Sequence, residues 1–250
     1  MMQETKGPPE AKEYSVLIAY EPGDVGRELK TMMRSLGYKV ETATDGDQAW
    51  VLLRSHPFEL LLVDAGLPGK PSYELCNGIK NRDLDTKVVL IASVYRKTRY
   101  KRSPKSLYGA HDYIEQHHIH DKLPNKIAKL FGRAHPCTTK PGADPEKIRR
   151  AGDLRINASD SSVEFDQTRL KRLARILASD MAVYNPELLK TGYKGFTRQE
   201  MEDLSDGQSF FRRLVPMERA RAEKLLLDAL EFLKTGKQKT GDEKVGKAKP

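Results

Sequence analysis

Cysteine is almost missing from this chain: Cys76 and Cys137 are all it has. Two cysteines so far apart make neither a disulfide framework nor a metal knuckle, which suits a reducing cytoplasm. Long apolar runs are missing too, and none approaches the roughly 20 residues that a membrane span needs. Met1 to Glu13 is charged and has no apolar centre, so it is not read as a secretory signal. The expectation is a cytoplasmic protein with no membrane partner. No Gly-rich phosphate loop and no triad-like set of nucleophile and base appears, which argues against a self-contained metabolic enzyme.

Lysine and arginine outnumber acids, 44 against 35, for a formal charge of +9, but the position of the excess matters more than its size. Lys237, Lys239, Lys244, Lys247 and Lys249 crowd the C-terminal tail among Gly236, Gly241, Gly246 and Pro250. That segment, 235–250, reads as disordered, like residues 1–13, so the basic balance need not mean nucleic-acid binding. The remaining chain is long enough for one large domain or two small ones.

Residues 14–132 alternate apolar strands with helical patterns. Strands are expected at Val16 to Tyr20, Lys39 to Ala43, Leu60 to Asp64, Val88 to Ala92 and Asp112 to Glu115. Between them, Leu29, Met32, Met33 and Leu36 recur at helical spacing until Gly37 stops the helix. Asp45 is a good N-cap for a helix that buries Ala49, Leu52 and Leu53. A third helix carries Leu75, Cys76 and Ile79, a fourth falls within Tyr95 to Leu107, and a fifth runs through Ile127, Leu130 and Phe131. Such alternation requires right-handed crossovers and a parallel sheet covered on both faces, an α/β doubly wound fold. The apolar runs Leu60 to Val63 and Val88 to Ala92 fit strands buried on both sides.

Asp64 ends one of those runs, and Ala65-Gly66-Leu67-Pro68-Gly69 then turns the chain away. A carboxylate at a strand tip is expected to face solvent where open parallel sheets bind ligands, and it can act as a nucleophile toward a phosphoryl group. Together with Val16-Leu17-Ile18, Leu36-Gly37-Tyr38-Lys39-Val40, Thr44-Asp45-Gly46, Glu74-Leu75-Cys76 with Ile79-Lys80, and Gly109-Ala110 before Asp112-Tyr113-Ile114, this stretch resembles the receiver domain of two-component response regulators. The resemblance covers about residues 14–132. It implies five strands in the order 2-1-3-4-5, with Asp64 as phosphoacceptor.

The family's site is matched only in part. Phosphoryl transfer to a carboxylate needs a divalent cation held by oxygen ligands, and a hydroxyl and an ammonium on the phosphoryl oxygens. The two acidic positions after the first strand read Tyr20 and Glu21, so Glu21 and Asp64 are the implied metal ligands and magnesium should bind weakly. The hydroxyl position matches Ser93, or Ala92 after a one-residue shift. The aromatic switch residue matches Tyr113, and the lysine position reads Gln116, which carries no charge. Lys122 is a candidate to reach in from the next loop.

Plainer readings stand beside these. Ser93 serves equally well as a helix cap, Tyr113 as a core residue with its hydroxyl at the surface, and Cys76 as a small buried apolar residue. His111, His117, His118 and His120 match no structural zinc spacing and read as solvated loop histidines. The basic run Arg96, Lys97, Arg99, Lys101, Arg102 and Lys105 reads first as a solvated helix face, with an acidic or nucleic-acid partner as the rival.

Residues 133–167 are punctuated by His135-Pro136, Lys140-Pro141-Gly142 and Asp144-Pro145, and read as a linker with a short helix near Pro145 to Ala151. Residues 168–234 regain helical spacing. Leu170, Leu173, Leu177, Met181 and Tyr184 form one apolar stripe, with Lys171, Arg172 and Arg175 on other faces. Asn185-Pro186 ends that helix. Thr197 and Glu200 form a capping box for the next, which is expected to run to Val215 with an interruption near Gly207. Pro216 suits the first turn of a last helix that buries Ala222, Leu225, Leu226, Ala229, Leu230 and Leu233. The result is a small all-α domain, its stripe covered by the last helix or by the second subunit of a homodimer.

Three functions compete. The leading one is a receiver protein phosphorylated on Asp64 by a histidine kinase or phosphotransfer protein, signalling to a helical output. The second is a phosphorylation-independent pseudo-receiver, motivated by Tyr20 and Gln116. The third is a DNA-binding regulator, against which Glu200, Glu202, Asp203 and Asp206 place negative charge where DNA would lie.

Overall fold

The computed structural model describes residues 14–92, 107–132, 167–189, 196–214 and 219–235. Ser93, the basic run 96–105, the segment 133–166, Pro216 and the Lys-rich tail lie outside them, and so do the expectations for the fourth helix and the linker.

Five strands form one parallel sheet: β1 (Ser15–Ala19), β2 (Lys39–Ala43), β3 (Leu60–Asp64), β4 (Lys87–Ala92) and β5 (Asp112–Glu115). Their order is β2-β1-β3-β4-β5. In the register, Ile18 lies beside Leu62, Leu62 beside Val89, and Ile91 beside Ile114. The period-two geometry of a strand sends alternate residues to opposite faces, so a continuously apolar strand serves two cores at once. Ile18, Leu62, Val89 and Ile91 pack with Leu29 and Met33 of α1 (Asp24–Ser35) and with Leu123 and Ile127 of α4 (Ile119–Phe131). Leu17, Leu61, Val63 and Leu90 pack with Leu53 of α2 (Gly46–Ser55) and with Leu75 and Ile79 of α3 (Ser72–Asn81).

Local punctuation works as the sequence indicates. The Asp45 carboxylate accepts the Gln48 amide at 2.8 Å and caps α2. Gly37, at φ 86°, ends α1.

The helical region comprises α5 (Gln167–Tyr184), a 3-10 turn (Pro186–Leu189), α6 (Arg198–Leu214) and α7 (Arg219–Thr235). Leu170, Leu173, Leu177 and Met181 are buried with Ala222, Leu226, Leu230 and Leu233, so the last helix covers the stripe from within the chain. Thr197 and Glu200 form the reciprocal capping box: the Thr197 amide donates to Glu200 Oε2 at 2.6 Å, and the Glu200 amide to Thr197 Oγ1 at 3.3 Å.

Two expectations need correction. α6 is unbroken at Gly207, where a side chain would run into Met181 Sδ; the missing side chain lets α6 close on α5 rather than breaking the helix. Asp203 is not a surface charge. It is buried, accepting the Asn185 amide at 3.0 Å and the Gln199 amide at 3.0 Å, and so ties the end of α5 to α6. No described helix is long and apolar enough to cross a membrane.

Candidate functional site: the C-terminal edge of the sheet

The chain turns at the ends of β1 and β3 bring Tyr20, Glu21 and Asp64 to one edge. The Asp64 carboxylate accepts the Gly66 amide at 3.0 Å, and the Leu67 amide donates to the Asp64 carbonyl at 3.2 Å. Ser72 Oγ donates to the Ala65 carbonyl at 3.3 Å and pins the loop to the start of α3. The carboxylate is thereby held in one orientation, as the strand-tip reading requires.

It does not face solvent. Asp64 is only 7% exposed, which corrects the sequence expectation, and the cover is α5. Arg175 Nη2 donates to Glu21 Oε1 at 2.6 Å, and Arg172 Nε forms an ion pair with Glu21 Oε2. The Arg175 and Glu21 side chains are 12% and 13% exposed, that of Arg172 33%. Beside them, the α5 backbone lies so close to the β3 loop that a Cβ on Gly66 would stand 2.9 Å from Ile176 Cγ1 and 3.1 Å from its Cα. Further along, the Tyr108 hydroxyl donates to the Ala182 carbonyl at 2.8 Å, and the Tyr184 hydroxyl to Glu115 Oε1 at 3.1 Å. Helix α5 thus crosses the edge from the β1 loop to the end of β5.

Sequence reasoning missed Arg172 and Arg175. Their three-residue spacing puts them on one helix face beside the apolar stripe, which is the available signal, but nothing local names Glu21 as their partner.

Burial dominates the electrostatics. It pushes the Asp64 carboxyl from 3.8 to about 6; the Gly66 amide works against the rise, the Glu21 charge adds to it, and Arg172 and Arg175 oppose it. The Tyr20 hydroxyl is raised well above its ordinary value by burial first and by Asp64 second. A desolvated phenol stands where a second metal-binding acid would be needed.

The other candidates disperse. Tyr113 is half-buried, with the Lys126 ammonium 5.5 Å from its ring centre, while Lys126 Nζ donates to Asp112 at 2.8 Å. Gln116 opens the 3-10 turn Gln116–His118. Lys122, on α4, does not reach in; its ammonium lies 3.0 Å from Nε2 of His118 in that turn. Of the four candidate histidines only His111 is exposed in a loop; His117, His118 and His120 are part-buried and paired. His117 pairs with Glu115 at 3.2 Å, His118 with Asp121 at 3.1 Å and His120 with Glu28 at 3.9 Å, while His111 Nδ1 accepts the Val88 amide at 3.0 Å. The turn into α4 aims successive rings at different carboxylates, and among the described residues no group of three or more His, Cys, Asp or Glu side chains could hold a metal. The Cys76 thiol is buried, which pushes it up to about 12 and makes it inert.

A divalent cation does not fit this arrangement. Hard cations take carboxylate oxygens whose charge is free to meet theirs, and both Glu21 oxygens face guanidinium groups.

The family of response regulator receiver domains matches residues 16–128, within which lie the 2-1-3-4-5 sheet and the acidic edge. Residues 16–128 are a receiver domain. A receiver domain is a signalling module and not an enzyme. Among curated relatives, a probable transcriptional regulator of the red alga Porphyra purpurea is 23% identical over 65% of this chain and 65% of its own length. The transcriptional regulatory protein CrdR of Helicobacter pylori is 32% identical over 43% of this chain and 50% of its own length. The chain therefore spans about 65% of the length of the first relatives it matches. Among solved structures, the response regulator protein TrrA of Thermotoga maritima, in complex with magnesium and beryllium fluoride, is 26% identical and covers 48% of this chain and 99% of its own, with a TM-score of 0.41. TrrA has also been solved in complex with the histidine kinase ThkA.

Proposed function

We propose that this protein is a two-component response regulator that accepts a phosphoryl group on Asp64, from a histidine kinase or phosphotransfer protein, and passes the change to its own helical bundle. The observation that carries the reading is the seat of α5 on the loops holding Glu21 and Asp64. In the transfer an Asp64 oxygen attacks phosphorus, the donor's leaving group departs with its electron pair, and an acyl phosphate forms. A carboxylate becomes a bulkier and more negative group beneath Arg172, Arg175 and Ile176. Such a change alters charge and packing together, which is how phosphorylation moves a bistable contact.

The test is intact-mass measurement of the full chain after incubation with acetyl phosphate and magnesium chloride. One added phosphoryl mass, lost in Asp64→Asn, is the expected result. Equal labelling of wild type and of that variant would refute the assignment. A phosphorylation-independent interaction module is the second reading, favoured by the burial of Asp64 and by Tyr20 and Gln116 in place of an acid and a lysine. Unlabelled protein at every donor concentration, with the edge shown to be open, would select it.

A further inference from the structure

We infer that Arg172 and Arg175 act as an internal counter-cation on Glu21, so that helix α5 and a divalent cation exclude one another at the receiver's acidic edge. The inference rests on the proposed reading of that edge as the phosphoryl-accepting site. Its basis is a matching of charges. Two guanidinium groups bring two positive charges to a carboxylate that would otherwise be the chain's clearest metal ligand beside Asp64, and magnesium brings the same two charges. The two compete for the same oxygens, since one Glu21 oxygen accepts from Arg175 at 2.6 Å, the other faces Arg172, and a cation there would meet two guanidinium groups of like charge.

The surroundings make this more than a surface ion pair, which would be worth little. Arg175 and Glu21 are each close to nine-tenths buried, and the helix backbone that carries the arginines closes on Gly66. Asp64 lies under the same cover. Tyr108 and Tyr184 hold the far end of α5 through hydrogen bonds that involve Ala182 and Glu115, so the helix is fastened at both ends and carries its cationic clamp at one only. A cation that takes Glu21 must therefore release the helix, and release of the helix uncovers Asp64. By linkage the two affinities are reciprocal: whatever factor docked α5 removes from magnesium binding, magnesium removes from docking, and a factor of about 5–150 is usual for such coupling.

Three measurements on the full chain decide the matter. Calorimetric titration with magnesium chloride should show the Arg172→Gln/Arg175→Gln variant binding about 10- to 100-fold more tightly than wild type. Removing positive charge alone favours a cation, so a second variant carries no charge change. Tyr108→Phe/Tyr184→Phe frees the other end of the helix and should also tighten magnesium, by about 5- to 150-fold if two ordinary hydrogen bonds are lost. In wild type, hydrogen exchange of the α5 amides should accelerate with added magnesium while the β3 amides stay protected.

Tighter binding in the tyrosine variant, and in the arginine variant where it folds, together with faster α5 exchange supports the proposal. Unchanged α5 exchange in magnesium-saturated protein overturns it, as does equal magnesium affinity in a folded tyrosine variant. If the arginine variant does not fold, the tyrosine variant and the wild-type exchange decide alone. Phosphodonor labelling separates this inference from the one beneath it. A variant that gains magnesium yet stays unlabelled upholds the competition and removes Asp64 as phosphoacceptor, whereas a labelled wild type with α5 exchange unmoved by magnesium does the reverse.

Discussion

Asp64→Asn should stabilise this protein at alkaline pH and leave its stability nearly unchanged in acid. The Asp64 carboxyl lies at about 6 in the folded chain and at 3.8 ordinarily, because burial disfavours its charge. A folded state with the higher value holds its proton longer than the unfolded chain. The penalty is therefore absent below 3.8, grows as pH rises from there to about 6, and is complete above. Converted to free energy, that displacement is a cost of about 3 kcal/mol at neutral and alkaline pH. Asparagine removes the charge and can still accept the Gly66 amide, a 3.0 Å hydrogen bond in wild type. Its own NH2 enters a buried site without an assured partner, at a cost of about 1 kcal/mol. The net gain is then about 2 kcal/mol near pH 8, a rise of about 4–8 °C in Tm. Near pH 4 the same substitution should be neutral or slightly destabilising. Thermal or urea unfolding of both proteins across this range measures the difference directly. A stability difference that does not change with pH would refute the reasoning, because it would mean that Asp64 is not desolvated in the folded chain.

Two further substitutions address the cover and the bundle. Gly66→Val puts a branched side chain where even a Cβ would be 2.9 Å from Ile176; it should cost about 1–3 kcal/mol and lower hydrogen-exchange protection in α5 without touching any charge. Intact protection there would mean that α5 does not rest on this loop. Phe211, fully buried among the three helices, should cost about 3–5 kcal/mol on truncation to alanine, read from chemical denaturation as an early loss of helical signal with the receiver still folded.

Most of the receiver's architecture was legible in the chain itself. Apolar strands at period two, helices at period 3.6, the Asp45 cap, the stop at Gly37 and the Thr197–Glu200 box are encoded within a turn or two of the residues that carry them. They placed Asp64 at the tip of β3, and they left the stripe from Leu170 to Met181 to be covered by the last helix or by a second subunit, a choice that packing with Leu226 and Leu230 decided. Other properties were decided only when distant segments met. Whether Asp64 faces water depends on α5, which begins far downstream at Gln167. Gly207 reads locally as a helix breaker and turns out to be a packing device, because its role is set by Met181 on another helix. The histidines at 117, 118 and 120 are neighbours in sequence, yet they point at three different carboxylates once the chain winds into α4. The arginines at 172 and 175 look like solvated positions of an amphipathic helix, since a charged side chain carries no local mark of its partner. Pairing between charges far apart in sequence follows from how two finished elements dock, and that geometry is a property of the tertiary structure alone.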